Sequence, residues 1–141
     1  MQMALDEAMK ADGELVFPNP RVGAVIVENE EVIATGYHQK AGEGHAEINA
    51  LNALAGKLSP EAEMYVTLEP CSTHGRTGAC SDALLMAGLT KLYVGCIDPN
   101  PNHAGEGIKA LRAAGVEVTV GLLQEKCEAL IQDFADRIIA N

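Results

Sequence analysis

The stretch AEMYVTLEPCSTHGRTGACSDALLMAGLTKLYVGCI, residues 62–97, decides the fold. Its opening, Ala62 to Leu68, is rich in β-forming residues and reads as a strand. Glu69 to Ala79 carries one proline, two glycines and mostly polar side chains, so it reads as a loop. Cys80 to Ala87 reads as a helix, and Gly88 stops it as glycine commonly stops helices. Leu92 to Ile97 is a second strand. A helix between two strands implies that they pair in parallel, within a sheet covered on both faces.

The same alternation extends in both directions. Upstream, Val22 to Val27 and Glu31 to Tyr37 read as two strands around the turn Glu28-Asn29-Glu30, which predicts a hairpin. Pro18-Asn19-Pro20 before it is poorly compatible with helix. Met3, Ala4, Ala8 and Met9 give Met1 to Lys10 helical spacing. A glycine-rich loop, Ala41 to Gly44, precedes a helix with a broad apolar face from His45 to Leu54. Downstream come the loop Asp98-Pro99-Asn100-Pro101, a helix from Gly107 to Ala114, a strand from Val116 to Val120 and a terminal helix from Leu122 to Ile139. The expected fold is one α/β domain over residues 1–141, a three-layer α/β/α sandwich on a mixed five-stranded sheet. Ligands of such sheets sit beyond the strand carboxyl ends, where the loops after Leu68 and Ile97 fall.

Hydrophobic residues make up 48% and aromatics only 4%, so the core must be built from Ala, Val, Ile and Leu. No apolar run approaches the roughly 18 residues of a membrane span. The first residues lack the pattern of a signal peptide, which makes the cytoplasm the expected location. Twenty acidic against ten basic residues leave a net charge of −10, and no Lys/Arg stripe is present to neutralise phosphates. A small-molecule substrate is therefore expected, with neither nucleic acid nor membrane as partner. The four cysteines, Cys71, Cys80, Cys96 and Cys127, suit metal ligation or burial better than disulfides in a chain without a secretion signal.

His45-Ala46-Glu47 opens one predicted helix, and Pro70-Cys71 and Cys80 stand at the start of another. One imidazole and two thiolates are good zinc ligands, and three protein ligands leave a fourth position open for chemistry. The partial positive charge at helix N-termini favours the thiolate form. Glu47, two residues from His45, can project beside the metal without ligating it and move protons. Zinc lowers the pKa of a bound water to about 7. This is the combination that zinc nucleobase deaminases use, except that eight residues separate the two cysteines where the general signature has two. Cys96 and Cys127 read as packing residues.

The long spacing belongs to a wider match. Pro18-Asn19-Pro20-Arg21-Val22-Gly23, Gly36-Tyr37-His38, Gly42-Glu43-Gly44-His45-Ala46-Glu47, Tyr65 to Ser72, Gly75-Arg76-Thr77 and Asp98-Pro99-Asn100-Pro101 together resemble the riboflavin-biosynthesis pyrimidine deaminases over nearly the whole chain. The resemblance implies the cytidine-deaminase-like fold, zinc held by His45, Cys71 and Cys80, and Glu47 as the catalytic proton shuttle. It implies deamination of a diamino-hydroxy-(phosphoribosylamino)pyrimidine to the corresponding uracil and ammonia. It places Asn19 and His38 in the substrate pocket, Arg76 at the phosphate, and Asp98 and Asn100 near the ribosyl part. Asn19, Asp98 and Asn100 equally suit the proline-rich turns that hold them.

The chain departs from the family at several loop positions. Thr73 stands where a substrate-contacting histidine is usual, with His74 next to it, and Gly78-Ala79 replaces two prolines. His103 and Glu106 replace an aliphatic residue and an arginine. These positions motivate a second expectation, a deaminase of another aminated heterocycle. A tRNA adenosine deaminase is opposed by the acidic charge. The family's bifunctional members continue into a reductase domain that residues 1–141 do not contain, and assembly into a homodimer or homotetramer is expected from the fold.

Overall fold

The computed structural model describes residues 1–54, 58–72 and 79–140. Five strands form one sheet: β1 (Gly23–Glu28), β2 (Glu31–Tyr37), β3 (Ala62–Leu68), β4 (Lys91–Cys96) and β5 (Glu117–Val120). Their spatial order is β2-β1-β3-β4-β5. β1 is antiparallel to both β2 and β3, whereas β3, β4 and β5 run parallel. The hairpin and the strand–helix–strand passage read from the sequence are both present. At the hairpin turn Asn29 and Glu30 have φ of 51° and 67°, the left-handed pair that matches the twist of the flanking strands.

Helices α1 (Gln2–Ala8), α2 (Gly13–Val16), α3 (Ala46–Asn52), α4 (Cys80–Ala87), α5 (Glu106–Ala113), α6 (Gln124–Leu130) and α7 (Gln132–Ala140) complete the chain. The larger core lies between the sheet and α3, α4 and α5, where Ile26, Met64, Leu84, Leu92 and Leu111 are fully buried. Each such side chain contributes roughly 1.5–3 kcal/mol on burial. A smaller cluster of Leu5, Leu68, Cys96, Cys127 and Ile131 joins the opposite face to α1 and α6. The layers are therefore α/β/α.

Two details differ from expectation. The terminal helix is two helices, with Ile131 at φ −109°, ψ 15° between them. Neither Gly nor Pro marks this break; Ile131 is buried beside Cys127, and α7 turns so that the Arg137 guanidinium donates to Pro18 O at 3.1 Å. The single-turn α2 was not expected either. Asp12 caps it, its Oδ1 accepting from Glu14 N at 2.8 Å. No helix among the described residues is long and apolar enough to cross a membrane.

The topology brings one set of ends together. The start of β1, the end of β2 and the ends of β3 and β4 share one rim of the sheet, because β1 runs opposite to β3. The segments carrying Asn19, His38, Cys71 and Asp98 leave the sheet at that rim.

Candidate metal centre and active site

His45 is the N-cap residue of α3, and Cys80 is the first residue of α4. Cys71 lies three residues beyond β3 and is locked to α4, since Ser81 N donates to Cys71 O at 3.1 Å and Cys80 N to Cys71 Sγ at 3.2 Å. Two helix starts thus face the end of one strand. The ligand atoms of His45, Cys71 and Cys80 all lie within 4.8 Å of one another. His45 Nδ1 is 3.0 Å from Cys80 Sγ and 3.7 Å from Cys71 Sγ. A tetrahedral zinc with ordinary Zn–N and Zn–S bonds would set those edges at about 3.6 Å, so the triangle fits this ion in both size and donor type.

Cys71 is held down at about 4, chiefly because the Cys80 thiol donates to it, and Cys80 is driven up by the same contact. One proton serves two sulfurs, and a divalent cation at the centre would take its place. His45 is raised, first by its contact with Cys71.

Glu47 sits in the first turn of α3 and is only 3% exposed. Burial raises its pKa above the usual carboxylate range. A carboxyl whose proton is held more tightly in this way can exchange it with a molecule bound in the cavity. Glu47, His45 and Cys71 line one cavity of about 150 Å³, together with Asn19, His38 and Asp98. Its apolar walls come from Pro20, Val22, Leu68 and Phe134. A larger cleft of about 580 Å³ opens elsewhere, among Glu30, Glu61, Glu63 and Lys91, with no cysteine or histidine among its described lining residues.

His38 is 3% exposed and is held from both sides. Its Nδ1 is 3.1 Å from Gly44 O, and its Nε2 is 3.2 Å from Asn19 Nδ2. The carbonyl accepts, so Nδ1 carries the proton and Nε2 accepts from the amide. Burial lowers the His38 pKa, which keeps this neutral form. Because Asn19 spends an N–H on His38, its amide orientation is fixed and its oxygen is left for a ligand. The His38 ring also meets His45 edge-on, with centroids 5.3 Å apart.

Asp98 is raised by burial, and its Oδ1 accepts from Asn100 N at 2.9 Å. Asn100 is not among the residues lining the cavity; its Oδ1 accepts from Asn102 N at 3.0 Å and builds the turn. Thr73, His74 and Arg76 lie outside the described residues, as does Gly78. His103 and Glu106 are described: His103 N donates to Asn100 O at 2.9 Å, and Glu106 begins α5.

Two residues at the site carry no motif. Asn49 Nδ2 donates to Tyr37 O at 2.7 Å and to Gly44 O at 3.2 Å, tying the loop before His45 to the end of β2. Its only signal in the sequence is an amide set between Ile48 and Ala50. Phe134 reads as part of an apolar helix face, yet it walls the cavity from α7.

Comparisons with known proteins converge on one group. Residues 1–96 match the family model of the cytidine and deoxycytidylate deaminase zinc-binding region. The riboflavin biosynthesis protein RibD of Aquifex aeolicus is 46% identical over 134 residues, covering 95% of this chain and 37% of that protein. The diaminohydroxyphosphoribosylamino-pyrimidine deaminase of Buchnera aphidicola is 41% identical, covering 86% of this chain and 82% of its own length. Among solved structures, Acinetobacter baumannii RibD superposes with a TM-score of 0.90 at 43% identity, over 97% of this chain and 38% of that one. The bifunctional deaminase/reductase of Thermotoga maritima gives 0.92 at 37% identity, over 99% of this chain and 40% of its own. The chain thus spans little over a third of the RibD proteins it matches.

Proposed function

This chain belongs to the family of cytidine and deoxycytidylate deaminases defined by their zinc-binding region, and from that premise we propose that it hydrolytically removes the 2-amino group of a diamino-hydroxy-(5-phosphoribosylamino)pyrimidine. The products would be 5-amino-6-(5-phosphoribosylamino)uracil and ammonia. One observation carries the proposal: a His45–Cys71–Cys80 triangle sized for zinc opens, through His45 and Cys71, on a small cavity that the buried carboxyl of Glu47 also lines. The relative of matching length is named for this deamination, which makes this pyrimidine the first substrate to test.

His45, Cys71 and Cys80 would hold the zinc, which when bound acts as a Lewis acid and lowers the pKa of water in its open position to about 7. Glu47 does the proton work. Its carboxylate oxygen takes a proton from the attacking water while the water oxygen bonds to the carbon bearing the amine. The proton passes to the adjacent ring nitrogen. Glu47 then takes the second proton of the former water and gives it to the amine. The C–N bond breaks, ammonia leaves, and the carbon keeps the oxygen as a carbonyl. The raised pKa of Glu47 suits both directions of transfer.

The other residues hold the ring. Leu68, Val22 and Phe134 offer apolar surface to its faces, and Asn19 offers a fixed amide oxygen to an N–H on its edge. Arg76, in the stretch between the two cysteines, is proposed to meet the phosphate.

The test is ammonia release from the phosphorylated diaminopyrimidine by zinc-loaded protein, with Glu47→Ala alongside. Turnover by the wild type that disappears in the variant supports the proposal. No release with one zinc per chain contradicts this substrate. Ammonia from another aminated heterocycle would then favour the reading that the departures at Thr73, His103 and Glu106 motivate.

A further inference from the structure

Glu69 follows directly on β3, two residues ahead of Cys71, and is 6% exposed. Its side chain meets no cation within ion-pair distance among the described residues. Four backbone N–H groups converge on it instead. Oε1 accepts from Asp98 N at 3.0 Å and Gly105 N at 2.9 Å. Oε2 accepts from Gly107 N at 3.0 Å and Ile108 N at 3.3 Å. One oxygen thus fastens both ends of the loop from Asp98 to Gly105. The other caps α5, whose own N-cap residue is Gly105 and has no side chain to do so.

The same contact fixes α5 against the metal-site turn. Gly107 lies so close to Pro70 that a methyl group there would collide with the Pro70 carbonyl oxygen. Glu69 N donates to Cys96 O at 2.9 Å, continuing the β3–β4 pairing to the last residue before Asp98's segment leaves the sheet. Cys71 and Asp98, which both line the cavity, are therefore referred to a single carboxylate.

We propose that Glu69 is a positioning residue of the deaminase site, which sets Asp98 at its working height over the cavity by clamping the Asp98–Gly105 loop to the strand that delivers Cys71. It touches no reacting atom in this role; it acts through Asp98. The proposal rests on the deaminase reading above and on Asp98 lining the same cavity as Glu47.

A double-mutant cycle on the zinc-loaded protein tests it. Glu69→Gln keeps the shape but turns an NH2 group toward two of the four backbone N–H donors. The expected result is a KM raised by about tenfold to 100-fold, since a misplacement of about 1 Å costs that much in well-ordered sites. Zinc per chain and the visible spectrum of the cobalt-substituted protein should stay as in the wild type, because the ligands themselves are not addressed. Asp98→Ala should raise KM similarly, and Glu69→Gln should add less than about threefold on top of it. Full multiplication of the two effects, or an unchanged KM in Glu69→Gln, overturns the proposal. So does an unchanged KM in Asp98→Ala, which would leave the deaminase reading intact as long as Glu47→Ala abolishes ammonia release. Should Glu69→Gln not fold, Glu69→Asp takes its place in the cycle, since it keeps the charge but is one methylene too short to reach both pairs of N–H groups. If the phosphorylated pyrimidine is not turned over but another heterocycle is, the substrate reading falls and the cycle is run on that heterocycle with the same outcomes.

Discussion

Replacing Gly36 with alanine should damage both the stability of the domain and its metal centre. Gly36 lies in β2 opposite Ala24, and α3 crosses it with no side chain between. A methyl group at Gly36 would lie 2.5 Å from Ala46 O and 2.9 Å from the Asn49 carbonyl carbon, and it would press on Ala50 N. All three are backbone atoms of α3, so no rotamer change relieves the contact. Reaching the 3.4 Å of ordinary contact requires α3 to lift by about 1 Å. Overpacking costs typically about 1–3 kcal/mol, and contact with three backbone atoms of one helix points to the upper end. Alanine offsets less than about 1 kcal/mol of this through its lower conformational freedom in a strand. A net loss of about 2 kcal/mol is expected. Because α3 carries His45 and Glu47, the same shift should lower turnover by about 100-fold. Urea unfolding of the two proteins reads the first number, and ammonia release at saturating zinc reads the second. Stability within about 0.5 kcal/mol of wild type together with intact turnover would refute the seating of α3 on β2.

Two further predictions concern the cysteines. Zinc added to chelated protein should raise resistance to urea, by about 4 kcal/mol at a thousandfold excess over Kd, and Cys71→Ser should abolish most of this gain; an equal gain in the variant would remove Cys71 from the ligand set. Burial pushes the Cys96 thiol up to about 12, against about 9 in the unfolded chain. The folded state therefore binds the Cys96 proton more tightly, so this contribution is complete below pH 9 and is lost as pH rises toward 12. Between those limits wild-type stability should fall more steeply than that of Cys96→Ala, by up to about 1.4 kcal/mol per pH unit; parallel slopes in alkaline urea titrations would contradict it.

Much of this architecture is legible in the residues because local signals and tertiary placement agree. The strand from Ala62 to Leu68, the helix from Cys80 to Ala87 and its glycine stop occur where pattern places them. The candidate metal cluster is legible for a related reason: few residue types serve as ligands, and the fold brings His45, Cys71 and Cys80 together. What pattern does not carry are features made by distant neighbours. The break at Ile131 accompanies its burial beside Cys127 and the reach of Arg137 to Pro18, with no turn residue to signal it. Glu69 is written in the sequence as one acidic residue after a strand. Its partners are backbone N–H groups of Asp98, Gly105, Gly107 and Ile108, which every sequence supplies alike. Asn49 and Phe134 escape notice likewise, because only the fold shows that one ties down the loop before His45 and the other walls the cavity.

The most direct test of hydrolytic deamination at the Glu47 site follows the oxygen. Zinc-loaded wild-type protein and Glu47→Gln, each shown to hold one zinc per chain, would be given the phosphorylated diaminopyrimidine in water enriched in oxygen-18. The expected result is one ammonia released for each uracil formed, one labelled oxygen at the former amine carbon, and no product from Glu47→Gln. Product without label, or label appearing at the wild-type rate in Glu47→Gln, would contradict the central claim.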